Sequence, residues 1–326
     1  MSIRYRPMEP KDAQACAAVV AHHPVVGPRY GKTIKYLAPA WLRLLGSDSF
    51  VTAVFEEKQD SRLTVLGAGV AVFVTDEFIC ELKSTPFWIG PELAVRILRG
   101  KSPVLSDRQL RDANTSGGLN LVVWQRGVLP NDTDRAEIGN TIMAAFVDLH
   151  RGFLLKEQVV QAETAEHVGS CRSLGAFLWN AATRCYERFD GLAPEKLVRA
   201  PHVLGLNRGS AGELGVSWGA SIFLYHAPRF AFNRSEQRLL STGLAGGTDQ
   251  EIADKLGISL AAVRKRWRAI YERVELIAPE LAPNLDSGDG TSRERGKAKK
   301  QRLLAYVREH PEELRPISRR LMRKAH

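Results

Sequence analysis

Arg264, Lys265 and Arg268 fall within five residues of one another, with Arg266 between them, in the stretch LAAVRKRWRAIYERV. On a helix of 3.6 residues per turn, Val263, Trp267, Ile270 and Val274 share one stripe, and Arg264, Lys265 and Arg268 are left to the opposite face. Such a helix is anchored from behind by its apolar residues. Its guanidinium and ammonium groups are then free to meet phosphates and base edges, the chemistry of major-groove reading. Arg266 and the hydroxyls of Thr248 and Ser259 are further candidates on the phosphate side.

These side chains need a scaffold, and the residues ahead of them specify one. Asn233 followed three residues later by Glu236 has the pattern of a capping box and opens a helix with Leu239, Leu240 and Leu244 on one face. Gly246 and Gly247 stop it. Thr248 and Glu251 repeat the pattern and predict a second helix with Ile252, Ala253 and Leu256 inward, ended by a left-handed Gly257. Ser259 can cap the third. Short helices broken this tightly follow the plan of a helix-turn-helix reader.

The same residues resemble the LuxR-type helix-turn-helix family. The match runs without a gap through Glu236, Leu240, Gly246, the Glu251-Ile252-Ala253 triplet, Leu256-Gly257-Ile258-Ser259, Val263 and Ile270-Tyr271, in a stretch of 43 of the 326 residues. Where the family commonly has Thr, this chain has Ala262, which removes one hydroxyl contact to phosphate. The resemblance implies a cytoplasmic transcription regulator with double-stranded DNA as partner. One reader contacts few base pairs, so a homodimer on a two-fold site is expected. A three-helix module that binds protein is the plainer alternative.

The formal net charge of +10 is unevenly spread. Residues 293–326 hold 12 basic and 4 acidic residues, net +8, and residues 232–274 hold 8 and 5, net +3. Residues 275–292 carry four acids and no base, which leaves only +3 for the first 231 residues. The basic excess belongs to the C-terminal third, as expected when that end meets phosphate and the other meets something else. Cys16, Cys80, Cys171 and Cys185 form no CxxC pair and have no His partners at metal spacing, so reduced core thiols and no metal are expected. Neither a signal peptide nor an apolar run of 18 residues is evident, and no membrane partner is expected.

Ahead of the reader, strands and helices interleave, and the fold class expected is α+β, a mixed sheet with flanking helices. Strands are predicted at 3–6, 50–56, 63–73, 120–126, 154–161 and 216–225, and helices over the stretch that opens near Asp12, 34–45, 92–99, 137–150 and 171–186. The polar EEKQDSR reads as the turn of a hairpin, and the nearly continuous apolar run through Val70 to Val74 as a central strand buried on both faces. The order of elements and the opening RYRPMEPKDAQACAAVV are similar to the GNAT acyltransferase fold. That family cradles coenzyme A pyrophosphate on a Gln/Arg-x-x-Gly-x-Gly/Ala loop at a helix N-terminus. The corresponding stretch here, Gln125 to Asp134, lacks the second small residue, contains Pro130 and places Asp132 and Asp134 where phosphate would lie. The resemblance therefore implies a degenerate copy that senses a small-molecule ligand, with acyl-CoA-like compounds not excluded, no catalytic residue and no cofactor. PAS-like and GAF-like sensor folds mix strands and helices too, and periodicity does not separate them.

Other groups point less far. His22-His23 read as surface or capping residues, and Trp41, Trp88, Trp124, Trp179 and Trp218 as core or as the lining of a pocket for a flat ligand. Ser170, Ser173 and His167 lack a nucleophile elbow, and Asp76 lacks the acidic pair of a phospho-acceptor site. Beyond the reader, SGDGT reads as a linker. The basic extension carries Leu303, Leu304 and Val307 at helical spacing, then Leu314, Ile317 and Leu321 between and after Pro311 and Pro316. It is read either as a solvated tail or as a helix docked on the reader or a dimer partner, adding phosphate neutralisation. The organisation expected is a sensor or regulatory domain over 1–228, a reader over 229–282, and a linker with basic helical extension over 283–326. An acyltransferase whose C-terminal part finds a protein or nucleic-acid substrate is the alternative.

Overall fold

The computed structural model describes residues 2–59, 62–128, 135–214, 217–281, 292–318 and 320. It divides into two compact units, Met1–Leu224 and Tyr225–His326.

The first unit opens with β1 (Ser2–Arg6), α1 (Ala13–His22), α2 (Val26–Tyr30) and α3 (Leu37–Leu44), then the paired β2 (Phe50–Gln59) and β3 (Arg62–Val74). After α4 (Asp76–Ser84), α5 (Ile89–Leu98) and α6 (Asp107–Thr115) come β4 (Leu119–Val128), α7 (Arg135–His150), β5 (Leu155–Val160) and α8 (Ala165–Ser173). It closes on β6 (Phe177–Asn180), β7 (Cys185–Glu187), α9 (Pro194–Arg199), β8 (Leu204–Asn207), α10 (Arg208–Glu213) and α11 (Trp218–Ser221). One mixed sheet results, in the order β1-β2-β3-β4-β5-β8-β6-β7. The β4–β5 pair is parallel, and every other described pair is antiparallel.

Alternation along β3 builds the core on both faces. Ala68, Val70, Val72 and Val74 pack with Cys16, Val20, Trp41, Leu82 and Leu93 from the helices of one side. Ala71 and Phe73 point the other way, to Leu110 of α6 and Val147 of α7. A strand covered on both sides is apolar nearly throughout, which is what the sequence shows there.

Several local expectations are corrected. The EEKQDSR turn is mostly strand, since Glu57, Lys58 and Gln59 pair with Thr64, Leu63 and Arg62. The long helix expected over 171–186 ends at Ser173, because Gly175 takes φ 78 and Arg184 φ 55, and Phe177–Asn180 with Cys185–Glu187 become a hairpin on the sheet edge. In place of the strand expected over 216–225, Trp218–Ser221 form a short helix capped by the Ser217 hydroxyl, and β8 takes the place beside β5. The helix of α4, capped by Thr75, and the strand β8 have no counterpart among the expectations. All four cysteines are free; Cys16 and Cys171 are buried as expected, but Cys80 and Cys185 are exposed. Trp41 and Trp124 meet edge to face at 6.2 Å in the core, whereas Trp218 is 58% exposed.

The second unit carries α12 (Arg234–Leu244), α13 (Asp249–Leu256), α14 (Leu260–Ile277) and α15 (Ser292–Glu309), with short 3-10 turns at Pro279–Leu281 and Pro311–Leu314. Its core gathers Leu239, Leu240, Ile252, Val263, Trp267, Ile270 and Val274, together with Leu303 and Val307 of α15. The described part of the extension is therefore packed into this core through Leu303 and Val307 and is not a solvated tail. The SGDGT linker and Leu321 lie outside the described residues. Among the described residues no helix is long and apolar enough to cross a membrane.

Candidate nucleic-acid interface

The geometry around α14 is set by caps. The Asn233 carboxamide oxygen accepts the Ser235 and Glu236 amides at 2.9 and 3.0 Å, and the Asn233 amide donates to the Glu236 carboxylate at 2.8 Å. Thr248 and Glu251 form the same reciprocal pair at the start of α13, with the Thr248 amide 2.6 Å from the carboxylate. Gly257 ends α13 at φ 63 and ψ 37, a left-handed conformation that costs a side-chain-bearing residue energy. Ser259 then accepts the Ala262 amide at 3.2 Å, and α14 begins. Only Ile258 separates the cap that ends α13 from the cap that starts α14.

On α14 the buried residues are Val263, Trp267, Ile270 and Val274. Arg264, Lys265 and Arg268 are exposed, spread over roughly 100° of the helix circumference at 3.6 residues per turn. Among the described residues none of the three pairs with a carboxylate. Glu272, one turn beyond Arg268, is exposed too, so the basic face is confined to the N-terminal half of the helix.

The remaining candidates separate by their hydrogen bonds. The Thr248 hydroxyl donates to Glu251 at 3.1 Å as well as capping α13, so its proton is committed. The exposed Ser259 oxygen acts as a cap acceptor and keeps its proton for an incoming oxygen. Arg266 is half-buried and lies to the side of the basic face.

Four other cations of this unit are paired within it. Arg273 holds Glu236 through two contacts of 2.6 and 3.0 Å, joining α14 to the start of α12. Lys299 pairs with Glu275 at 2.7 Å, and Lys300 with Asp249 at 2.8 Å while lying 5.0 Å from the centre of the Trp267 ring. Arg229 reaches Glu280. Two lysines expected to add phosphate neutralisation thus tie α15 to α13 and α14.

Elsewhere the sequence candidates do structural work. The His23 ring accepts the Val25 and Val26 amides at 3.2 Å and caps α2. Asp76 takes hydrogen bonds from Asn120 and Lys156 at 2.6 and 2.7 Å. The Ser170 and Ser173 hydroxyls bond back to carbonyls one turn earlier, at Glu166 and Gly169. Gln125 to Val128, expected to begin a phosphate-binding loop, is the end of β4, with Gln125 buried and accepting the Tyr30 hydroxyl at 3.2 Å. The rest of that stretch, 129–134, lies outside the described residues. Around the same strand end, Arg29, Arg126, Glu163 and His167 converge, a grouping from four separate segments that no local motif announces.

Comparison with protein-family models, curated proteins and solved structures finds no match to this chain.

Proposed function

We propose that the second unit binds double-stranded DNA as a LuxR-type helix-turn-helix reader, and that the protein is a transcription regulator whose first unit senses a small-molecule ligand. One observation carries the reading: Arg264, Lys265 and Arg268 stand exposed, with no carboxylate partner among the described residues, on the first half of a helix whose back is buried and whose start is fixed by Gly257 and Ser259. The N-terminal half of the second helix is the part that meets base edges in such readers. Arg264 and Arg268 are the base-edge and phosphate donors, Lys265 a phosphate contact, and Ser259 a hydroxyl donor to the backbone. Thr248 and Arg266 play supporting parts. Two copies are required for a site long enough to be selective.

The test is selection of bound duplexes from a random-sequence pool by the full chain, followed by binding of the selected duplex by an Arg264→Ala/Lys265→Ala/Arg268→Ala variant. A common sequence, lost affinity of tenfold or more in the variant and an unchanged melting temperature are expected. Retention of affinity by the variant would overturn the groove assignment.

A second reading, a GNAT-like acyltransferase with a targeting C-terminal part, draws on the order of elements from β1 through α8 around a mixed sheet. Acyl-CoA titration with a thiol-release assay separates the two, since turnover belongs only to the enzyme.

A further inference from the structure

The first unit is nearly neutral as a whole, but its charge is sorted by place. Residues 13–47 and 93–106 together hold seven lysines and arginines and no aspartate or glutamate. They make up α1, α2, the 3-10 turn Gly31–Tyr36, α3, the C-terminal part of α5 and the segment after it. These helices pack on one another and on Val70, Val72 and Val74, forming one layer over one face of the sheet. The first 231 residues sum to only +3, so the remainder of them is net acidic.

Three of the seven cations are occupied. Arg29 donates to the Glu163 and Val198 carbonyls at 2.7 and 2.8 Å. Arg43 donates to the Ile97 and Leu98 carbonyls at 2.8 and 3.1 Å and so closes the C-terminal end of α5. Arg96 holds Glu81 and Glu92, both at 2.6 Å. Lys32, Lys35, Arg99 and Lys101 are left exposed, and among the described residues none of them has a carboxylate partner. Arg43 ties α3 to the end of α5, where Arg99 and Lys101 follow, and the turn that carries Lys32 and Lys35 packs on the same helix. Like charges gathered without an acid repel one another, and an anion brought to them relieves that cost.

The layer has no apolar stripe to offer. α3 turns Leu37, Ala38, Ala40 and Trp41 inward, and its one exposed large apolar residue is Leu42. A lipid surface is held by a buried apolar face as well as by cations, so a partner that presents charge alone fits better. Lysine ammonium groups meet phosphates as point charges and read no base. The ten residues of α5 span about 15 Å at 1.5 Å per residue. Over that length a duplex carries about nine phosphate charges, one per 1.7 Å, and roughly half of them lie on the near side. Four cations match that number.

We propose that Lys32, Lys35, Arg99 and Lys101 form a second phosphate-binding surface, through which the first unit contacts the DNA backbone outside the bases met by α14. It adds affinity without sequence choice. The choice of DNA as the polyanion rests on the reader assignment; the charge of the layer does not.

The experiment is a salt series of the full chain on a long mixed-sequence duplex. The Lys32→Gln/Lys35→Gln/Arg99→Gln/Lys101→Gln variant should lower the slope of log affinity against log salt by about 3.6 per bound copy, at about 0.9 for each cation. Between about 50 and 200 mM salt, its affinity should then fall roughly 100-fold less than that of the unaltered chain. The sequence selected from a random pool should stay the same. Lys196→Gln/Arg199→Gln, which removes two exposed cations of α9, is the control and should leave the slope unchanged. An unaltered slope in the quadruple variant, or an equal loss per charge in the control, would overturn the proposal. Loss of binding to vesicles of mixed phosphatidylserine and phosphatidylcholine, with the DNA slope intact, would overturn it too and assign the layer to a membrane. If the Arg264→Ala/Lys265→Ala/Arg268→Ala variant keeps its affinity while the quadruple variant lowers the slope, the reader assignment fails and the second surface stands.

Discussion

Replacing Leu303 by Ala tests whether the C-terminal extension supports the fold of the second unit. Leu303 is 1% exposed and lies in one core with Trp267, Leu239 and Ile270, while its neighbour Arg302 is exposed. The substitution removes about three methylene equivalents, worth about 2.4 kcal/mol at 0.8 kcal/mol each. The cavity left behind adds to this, for a total of about 3 kcal/mol within the usual range for buried leucines. At 1.4 kcal/mol per factor of ten, that raises the unfolded population of the unit roughly 100-fold. Native-state hydrogen exchange reads it directly on the amides of α12 and α14, which lie far from Leu303 in sequence but share its core. Arg302→Ala is the control and should shift exchange by less than about 0.5 kcal/mol. If the two variants behave alike, α15 does not support the helices that carry Arg264 and Arg268, and the packing argument fails.

Two further outcomes follow from charge. On a mixed-sequence duplex, the Arg264→Ala/Lys265→Ala/Arg268→Ala variant should lower the slope of log affinity against log salt by about 2.7 per reader if all three cations displace counterions, at about 0.9 each; an unchanged slope in a salt series would place these residues off the DNA. Glu313 accepts the Arg229 and Phe230 amides, yet burial dominates and pushes its carboxyl up to about 7. A carboxyl raised in the folded state is protonated there before it is in the unfolded chain. The second unit should therefore gain stability as pH falls from about 7 towards the ordinary carboxylate value of 4.5. Glu313→Gln should remove that gain in urea melts read between these pH values.

Legibility in the sequence follows how local the determining forces are. The caps at Asn233, Thr248 and Ser259 and the left-handed Gly257 act within four residues of themselves, so the breaks around α12, α13 and α14 could be read in advance. The helix start at Thr75 uses the same local signal, where Thr75 caps the Phe78 amide, and it passed unread beside the long strand that precedes it. The run over 171–186 went the other way. Its apolar spacing suits a helix, but Gly175 and the free edge beside β8 turn Phe177–Asn180 into strand, and a sheet edge is not visible from within the segment. The grouping of Arg29, Arg126 and Glu163 was least legible. The crossover from β4 to β5 brings Arg126 to Glu163, α2 supplies Arg29, and nothing in any one of the three neighbourhoods marks the meeting. Lys299 and Lys300 looked like solvated charges because their partners, Glu275 and Asp249, are 24 and 51 residues away.

The clasp of Glu313 on the Arg229 amide also bears on how the protein is made. The two groups are 84 residues apart. At translation rates of roughly 5–20 residues per second, the amides at 229 and 230 emerge about 4–17 seconds before the carboxyl that receives them. Through that interval Phe230, Leu239 and Trp267 lack the cover of Leu303 and Val307. The helices that carry Arg264 and Arg268 thus gain the cover of Leu303 and Val307 only once α15 has been made, and until then the core of the second unit is open on that side.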